Sequence, residues 1–212
     1  MILPVNKYII ALTGGIATGK SLVSGFLGEM GAEIVDTDKI ARQVTAGGSP
    51  VLKKIQRHWG NRVLNPDGTL HRKALGDIIF SSKEQRQKLN RIIHPHIRRE
   101  MNNQIHNSKA PVVAVVIPLL FETAGNALDY DEIWLVYCPP KEQLRRLMDR
   151  DGITEDEAQK RIESQIPIDE KVKLCQVVID NSGDTRETLK QTELEWQGLL
   201  NRKGISIAGL ES

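Results

Sequence analysis

The stretch Gly14-Gly-Ile-Ala-Thr-Gly-Lys-Ser21 joins two apolar segments and decides how the fold begins. Before it, Tyr8-Ile-Ile-Ala-Leu-Thr13 is a continuous apolar run rich in β-branched residues. A run without polar alternation predicts a strand buried on both faces, as in a parallel sheet. After it, residues 20–30 place apolar side chains at helical spacing, and Gly31 supplies a stop signal. The sequence therefore predicts a strand, a glycine-rich loop and a helix in succession.

The rest of the chain repeats this alternation of short apolar strands and helices. Thr37 is a candidate cap for the second helix, and Thr154 begins a capping-box pattern with Glu157. Alternating strands and helices predict an α/β fold, doubly wound, with about five parallel strands. The further strands are predicted at residues 32–36, 112–117, 132–137 and 176–180, and the further helices at 38–44, 141–151, 154–165 and 186–200.

Residues 47–109 differ in composition from the rest of the chain. They are polar and helix-periodic, with predicted breaks at residues 47–50, 65–68 and 94–95, each containing proline or glycine. We therefore expect residues 1–46 and 110–212 to form the α/β core, and residues 47–109 to form a helical insertion.

Composition and charge exclude several classes of protein. The 212 residues include 29 lysines and arginines against 27 aspartates and glutamates, for a net charge of +2. Both signs are spread along the chain, unlike the one-sided basic surface of a general nucleic-acid-binding protein. The longest apolar run, residues 112–120, contains Pro118 and is too short for a membrane span. Residues 1–7 lack the pattern of a secretory signal, so we expect a cytoplasmic protein.

The glycine-rich loop satisfies the pattern G-x-x-x-x-G-K-[ST] in the strand–loop–helix context that a phosphate-binding loop requires. Glycines let backbone N–H groups turn towards a nucleotide phosphate, and the positive end of the following helix favours the anion. Lys20 can reach the β and γ oxygens, and the Ser21 hydroxyl can bind Mg²⁺. The alternative is a turn that merely connects strand and helix. The predicted nucleotide-binding residues are Gly15, Ile16, Ala17, Thr18, Gly19, Lys20, Ser21 and Leu22.

An acidic pair, Asp36 and Asp38, follows the second predicted strand. In a doubly wound sheet this strand end lies close to the phosphate loop. A carboxylate there can accept a proton from an acceptor hydroxyl or hold Mg²⁺ through water, and helix capping is the alternative role. Asp38 is the better candidate for the base, and Asp36 for structure or metal binding. The chain contains no Asn-Lys-x-Asp motif of signalling GTPases, so a small kinase is favoured.

Further segments resemble those of the dephospho-CoA kinase family, in the family's order and along nearly the whole chain. The His94-Pro95 pair and Pro118-Leu-Leu-Phe-Glu122 are the most specific of them. The resemblance implies transfer of the ATP γ-phosphoryl group to the ribose 3′-hydroxyl of dephospho-CoA, with Mg²⁺ as the metal. The matching segments are residues 12–21, 35–42, 89–97, 118–122, 143–150, 161–165 and 178–183.

The resemblance also implies roles for residues on the acceptor side. Asp38 faces the acceptor ribose as general base, Arg42 meets an acceptor phosphate, and the insertion at residues 47–109 forms most of the CoA-binding side. His94 is a candidate for the same side, although a histidine before proline can simply orient the backbone.

Arginines at helical spacing suggest a lid. Arg146 and Arg150 share one predicted helix face, and Arg161 with Gln165 repeats the spacing on the next helix. The resemblance implies that residues 143–168 close over the ATP phosphates, with Arg146 and Arg150 offering planar donors to the transferred group. The alternative is a solvated helix whose arginines pair with neighbouring acids.

Three more binding candidates have ordinary structural alternatives. Asn181 can read the adenine edge or begin a turn. Leu119 and Leu120 can wall the acceptor pocket or belong to the core.

The chain also departs from the family pattern. Ala17 stands where the loop usually has glycine, Val116 where an aspartate is common, and His71 where an acidic residue is common. The competing functions are another nucleoside-monophosphate or small-metabolite kinase, and a regulatory module that binds ATP without transferring phosphate.

Overall fold

A computed structural model describes residues 7–80, 82–122 and 129–207. The chain divides into two compact units, one formed by Met1–Asp36 with Ser108–Ser212 and the other by Thr37–Asn107. The first unit contains all five strands of the sheet, and the second consists mainly of helices.

The sheet is entirely parallel, with the strand order β2-β3-β1-β4-β5. Its strands are β1 (Tyr8–Gly14), β2 (Glu33–Asp36), β3 (Val112–Val116), β4 (Glu132–Tyr137) and β5 (Val177–Asp180). The helices are α1 (Lys20–Glu29), α2 (Thr37–Val44), α3 (Pro50–Trp59), α4 (Arg72–Phe80), α5 (Lys83–Asn107), α6 (Pro140–Asp151), α7 (Glu155–Glu163), α8 (Ile168–Val172) and α9 (Thr185–Lys203). The predicted α/β fold with a five-stranded parallel sheet is confirmed.

The core of the first unit lies between the sheet and the helices α1 and α9. Leu12 and Trp134 from the strands pack in one cluster with Leu27 of α1 and Trp196 of α9. Every residue of β3 is buried. Burial of both faces is why these strands appear in the sequence as continuous apolar runs.

The second unit has its own core, built from helices α3, α4 and α5 and the turn of 3₁₀ helix at Asn61–Val63. Ile55 and Val63 are completely buried in it. Helix α3 begins as its sequence indicates, because the Ser49 hydroxyl accepts a hydrogen bond from the Leu52 N–H at 3.0 Å and Pro50 occupies the first helical position.

The predicted helix break at residues 94–95 is wrong, because α5 continues through Pro95. Proline has no N–H for the helical hydrogen bond, and its ring crowds the carbonyl four residues earlier. Helix α5 contacts α2, α3 and α4, and this packing outweighs the local penalty.

Two other helices show what local pattern can and cannot predict. The capping box at Thr154 is present, since its side chain and that of Glu157 bond reciprocally to the backbone. Helix α8 has no counterpart among the predicted helices, because five residues are too few to show a helical period. Within the described ranges, no helix is long and apolar enough to cross a membrane.

Candidate functional site

The carboxyl ends of all five strands meet at one edge of the sheet because the strands are parallel. The loop of residues 14–21 leaves β1 at the centre of this edge, Asp36 ends β2, and Asn181 follows β5. Ligands of open α/β sheets bind at this edge, where neighbouring connections diverge. The predicted nucleotide site therefore has its framework in the first unit.

The loop closes on itself through its own carbonyl groups. The Thr18 hydroxyl donates to the Gly15 carbonyl at 3.0 Å. The Lys20 ammonium donates to the carbonyls of Gly14 and Gly15, at 3.1 and 2.7 Å. Helix α1 begins at Lys20, so its first N–H groups point into the loop. A curved run of amide donors with one ammonium group suits a polyphosphate.

Backbone geometry explains two of the glycines. A Cβ atom at Gly14 would lie 2.6 Å from the backbone oxygen of Val136 on the neighbouring strand. Gly19 has a φ of +91°, and a Cβ there would overlap Asn181 Nδ2. Ala17, at φ +59°, is the one non-glycine residue with positive φ in the described part of the chain. The residue that departs from the family pattern therefore occupies a strained position.

Three amide side chains brace the loop from outside. Asn181 donates from Nδ2 to the Thr18 carbonyl at 2.7 Å, while its Oδ1 accepts from the Thr188 hydroxyl at 2.9 Å. Gln165 Oε1 accepts the Ile16 N–H at 3.0 Å. Gln143 is buried against Gly15, where a Cβ would come within 2.6 Å of its Oε1.

The two predicted lid arginines have different surroundings. Arg146 is half-buried, donating to Glu142 at 2.6 Å and to the Asn181 carbonyl at 2.9 Å. Arg150 is exposed and pairs with Asp151 at 2.7 Å. Arg161 reaches the same carboxylate at 2.7 Å. Arg146 therefore lies beside the phosphate loop, whereas Arg150 and Arg161 share an acid at the junction of α6 and α7.

These ion pairs shift the pKa values of the carboxyl groups. Hydrogen bonds from Arg145 and Arg146 lower the pKa of Glu142 to about 2. The hydrogen bond from Arg150, with the charges of Arg150 and Arg161, lowers the pKa of Asp151. Both acids are therefore ionised at neutral pH. Burial raises the pKa of the Cys138 thiol to about 11, so this cysteine is not a thiolate nucleophile.

The acidic pair is divided between the two units. Asp36 is half-buried at the end of β2, in register with Val116. Asp38 is exposed in the first turn of α2, in the second unit. Ser21 is exposed in the first turn of α1. The described residues include no group of three or more His, Cys, Asp or Glu side chains that could hold a metal ion.

Arg42, an acceptor-side candidate in the second unit, lies near a second arginine, Arg72. Arg42 and Arg72 are both exposed, and Arg72 donates to the Thr45 hydroxyl at 3.0 Å. Burial, together with the like charge of Arg42, lowers the pKa of Arg72. His94 is half-buried, and burial with the charge of Arg98 lowers its pKa, so its imidazole is neutral at pH 7.

The two predicted wall residues after β3 differ in exposure. Leu119 is 41% exposed, whereas Leu120 is 5% exposed and belongs to the core. Leu119 is therefore the one whose side chain a ligand can reach without rearrangement.

Sequence reasoning misses the bracing of the loop. Gln143 is not among its candidates, and it gives Gln165 and Asn181 no role as partners of the loop backbone. The hydrogen bonds of Gln165 and Asn181 join residues 149 and 163 positions apart, and no local pattern predicts such pairs. The family motifs that contain Gln165 and Asn181, residues 161–165 and 178–183, are the one available signal.

The chain is similar to known proteins over most of its length. A family model described as dephospho-CoA kinase matches residues 8–187. A dephospho-CoA kinase from Carboxydothermus hydrogenoformans is 46% identical over 186 residues, which cover 86% of this chain and 90% of the relative.

Two solved structures have the same fold. The protein TT1252 from Thermus thermophilus superposes with a TM-score of 0.81 at 31% identity, covering 92% of this chain and 98% of the other. A dephospho-CoA kinase from Campylobacter jejuni superposes with a TM-score of 0.67 at 28% identity, covering 93% and 99%.

Proposed function

The chain belongs to the dephospho-CoA kinase family, and we propose that it transfers the γ-phosphoryl group of ATP to the ribose 3′-hydroxyl of dephospho-CoA. The observation that carries this function is the family match over residues 8–187, which includes the phosphate loop and its braces. The product is coenzyme A, so the reaction is the last step of its synthesis. A cytoplasmic location stays a prediction.

The phosphate loop binds ATP in this proposal. Its backbone N–H groups hold the β-phosphate, and Lys20 moves from the carbonyls of Gly14 and Gly15 to the β and γ oxygens. Phosphoryl transfer depends on positioning and on charge stabilisation, and one ammonium group in a ring of amide donors supplies both.

The acceptor hydroxyl is activated by Asp38, in the motif Val35-Asp-Thr-Asp38 that matches the family. Its exposed carboxylate accepts the proton that the 3′-hydroxyl loses as the phosphoryl group arrives. Arg42, beside Arg72, contributes positive charge for an acceptor phosphate. Residues 47–109 provide most of the acceptor-binding surface.

The arginines of α6 supply further positive charge to the transferred phosphoryl group. Arg146 contacts the carbonyl of Asn181, which itself braces the loop, so this guanidinium stabilises charge on the transferred group. Arg150 joins it when residues 143–168 close over the nucleotide, and closure favours transfer over hydrolysis by excluding water.

The donor set fits Mg²⁺ bound mainly by substrate. A single hydroxyl, that of Ser21, lies at the start of α1, and Asp36 can act through water. Mg²⁺ retains several waters and is commonly held by one or two protein groups with phosphate oxygens. When bound, the ion neutralises charge on the β and γ oxygens.

An acceptor panel tests this function. Purified protein is given ATP and Mg²⁺ with dephospho-CoA, AMP, UMP or shikimate, and ADP and the phosphorylated product are measured. Of the four acceptors, we expect only dephospho-CoA to be phosphorylated rapidly. In Lys20→Met, turnover with dephospho-CoA should fall at least about 10²-fold, since one charge-stabilising donor is removed. Lys190→Met, a change on α9, is the matched control. Faster phosphorylation of another acceptor would overturn the assignment.

A further inference from the structure

One peptide group of the phosphate loop connects Gln165 with Lys20. The N–H of Ile16 donates to Gln165 Oε1 at 3.0 Å. The carbonyl of the same peptide, that of Gly15, accepts from the Lys20 ammonium at 2.7 Å and from the Thr18 hydroxyl at 3.0 Å. A peptide group is planar and rigid, so fixing its N–H also fixes the direction of its carbonyl. Gln165 therefore controls the orientation of the group that holds Lys20.

The backbone that carries Gln165 is itself held by a buried carboxylate. The N–H of Ile166 donates to Glu122 Oε1 at 3.1 Å. The Lys171 ammonium lies 2.6 Å from the same oxygen. The side chain of Lys171 is 0% exposed and that of Glu122 is 14% exposed. The segment after β3, the end of the arginine-bearing region and helix α8 thus meet at one oxygen atom.

Stability alone is a poor explanation for this pair. Desolvation of two charges offsets most of their attraction, and apolar residues of similar size often do as well. Glu122 Oε2 and Lys171 Nζ are buried without a well-directed hydrogen bond in the described part of the chain. Much of the hydrogen-bonding capacity of the pair is therefore unused, while the one oxygen that it does use holds the Ile166 N–H.

We propose that Glu122 and Lys171 are positioning residues that fix the Gln165–Ile166 peptide, and that Gln165 orients the Gly15–Ile16 peptide on which Lys20 rests. None of the three touches the reacting atoms; they act through the phosphate loop. The inference rests on the role of Lys20 in the proposed function.

The first test replaces Gln165 by leucine, which keeps the size of the side chain and removes its acceptor. We expect kcat for coenzyme A formation to fall on the order of 10²-fold, the scale of a misplaced catalytic group. The KM for dephospho-CoA and the melting temperature should not change. Gln197→Leu is the matched control, because Gln197 is exposed on α9, outside residues 143–168, and donates to Asn201 of the same helix at 3.2 Å.

The second test separates positioning from stability with two double variants. Glu122→Gln with Lys171→Met keeps an oxygen acceptor for the Ile166 N–H, whereas Glu122→Leu with Lys171→Met removes it. Neither variant buries a lone charge, so both should fold. We expect the glutamine variant to retain most of the kcat and the leucine variant to lose it, at similar melting temperatures.

The outcomes are distinct. Equal kcat in two folded double variants, or wild-type kcat in Gln165→Leu, would overturn the inference. If the double variants do not fold, the kcat of Gln165→Leu decides whether the inference holds. A wild-type protein that forms no coenzyme A from dephospho-CoA would instead overturn the proposed function.

Discussion

Asp38 and Asp36 are two residues apart, yet they differ in exposure and in the unit to which they belong. We expect Asp38→Asn to lower turnover about 10²–10⁴-fold, because it keeps the shape of the side chain but removes the proton acceptor. ATP affinity should be nearly unchanged. The measurements are acceptor turnover and ATP binding by calorimetry.

Asp36→Asn serves as the comparison for Asp38→Asn. A half-buried carboxylate at a strand end is placed for structure or for a metal-bound water, so this variant should weaken Mg²⁺ dependence or stability. If Asp36→Asn abolishes turnover in a folded protein while Asp38→Asn does not, the two roles are reversed.

Ala17 gives a prediction about strain. A left-handed conformation costs an L-residue about 1–2 kcal/mol, whereas glycine adopts it freely but loses about 0.4–1 kcal/mol through the entropy of the unfolded chain. Ala17→Gly should therefore raise the free energy of unfolding by up to about 1 kcal/mol. Urea denaturation checks this.

The control for Ala17 is Ala41→Gly, in the interior of helix α2, which should lower stability by about 1 kcal/mol. Opposite signs for the two Ala→Gly changes are expected. A destabilisation of equal size at both positions would show that Ala17 is not strained.

The residues that bind phosphate could be predicted from the sequence, but the residues that shape the loop could not. The loop motif depends on local spacing, so glycines, lysine and serine are recognisable without any structure. The braces at Gln143, Gln165 and Asn181 come from three distant segments. Their positions depend on how the strands β4 and β5 and the following helices pack, which no local pattern specifies.

Among the helices, α5 is the one in which we expect a substitution to raise stability most, because it contains a proline. Pro95 removes one helical hydrogen bond and crowds the preceding turn. Pro95→Ala should raise the free energy of unfolding by about 1–3 kcal/mol, measured by urea denaturation. Pro50→Ala, at the first position of α3, should have little effect, since proline fits there. Equal effects of the two changes would contradict this account.

The start of α6 should make stability depend on acid pH. The arginines lower the pKa of Glu142 from its ordinary value of 4.5 to about 2, so the folded state binds this proton less readily than the unfolded state. The contribution is complete above pH 4.5 and is lost as the pH falls towards 2. Wild-type stability should therefore decline more steeply across this range than that of Glu142→Gln. Parallel pH profiles in urea denaturation would contradict the prediction.

The sequence predicts the strands better than the helices because the central strands β1, β3 and β4 are buried on both faces. All five strands lie within one or two residues of the predicted positions, since a short continuous apolar run between turn signals is typical of a buried strand. The helix predictions fail at Pro95, where packing overrides local preference, and in α8, which is too short to show a period.

The metal-binding side chains of residues 7–80, 82–122 and 129–207 allow a prediction about how chelation affects the protein. The described residues provide no group of three or more metal-binding side chains, so folding should not require a metal. EDTA should abolish phosphoryl transfer and leave the melting temperature of the nucleotide-free protein unchanged. Differential scanning calorimetry with and without EDTA measures this. A large fall in melting temperature would reveal a structural metal ion.

The order of the strands has a consequence for synthesis on the ribosome. In the described sheet, β2 pairs only with β3, and β1 only with β3 and β4, so neither early strand has a partner before residue 112. Helices α2 to α5 emerge in between and form a compact unit of their own. The loop at residues 14–21 lacks its hydrogen bond from Asn181 to the Thr18 carbonyl until residue 181, 163 positions after Thr18, has been added. During synthesis we therefore expect the helical unit to become compact before the sheet is complete, and the phosphate loop to reach its final form only after Asn181 has emerged.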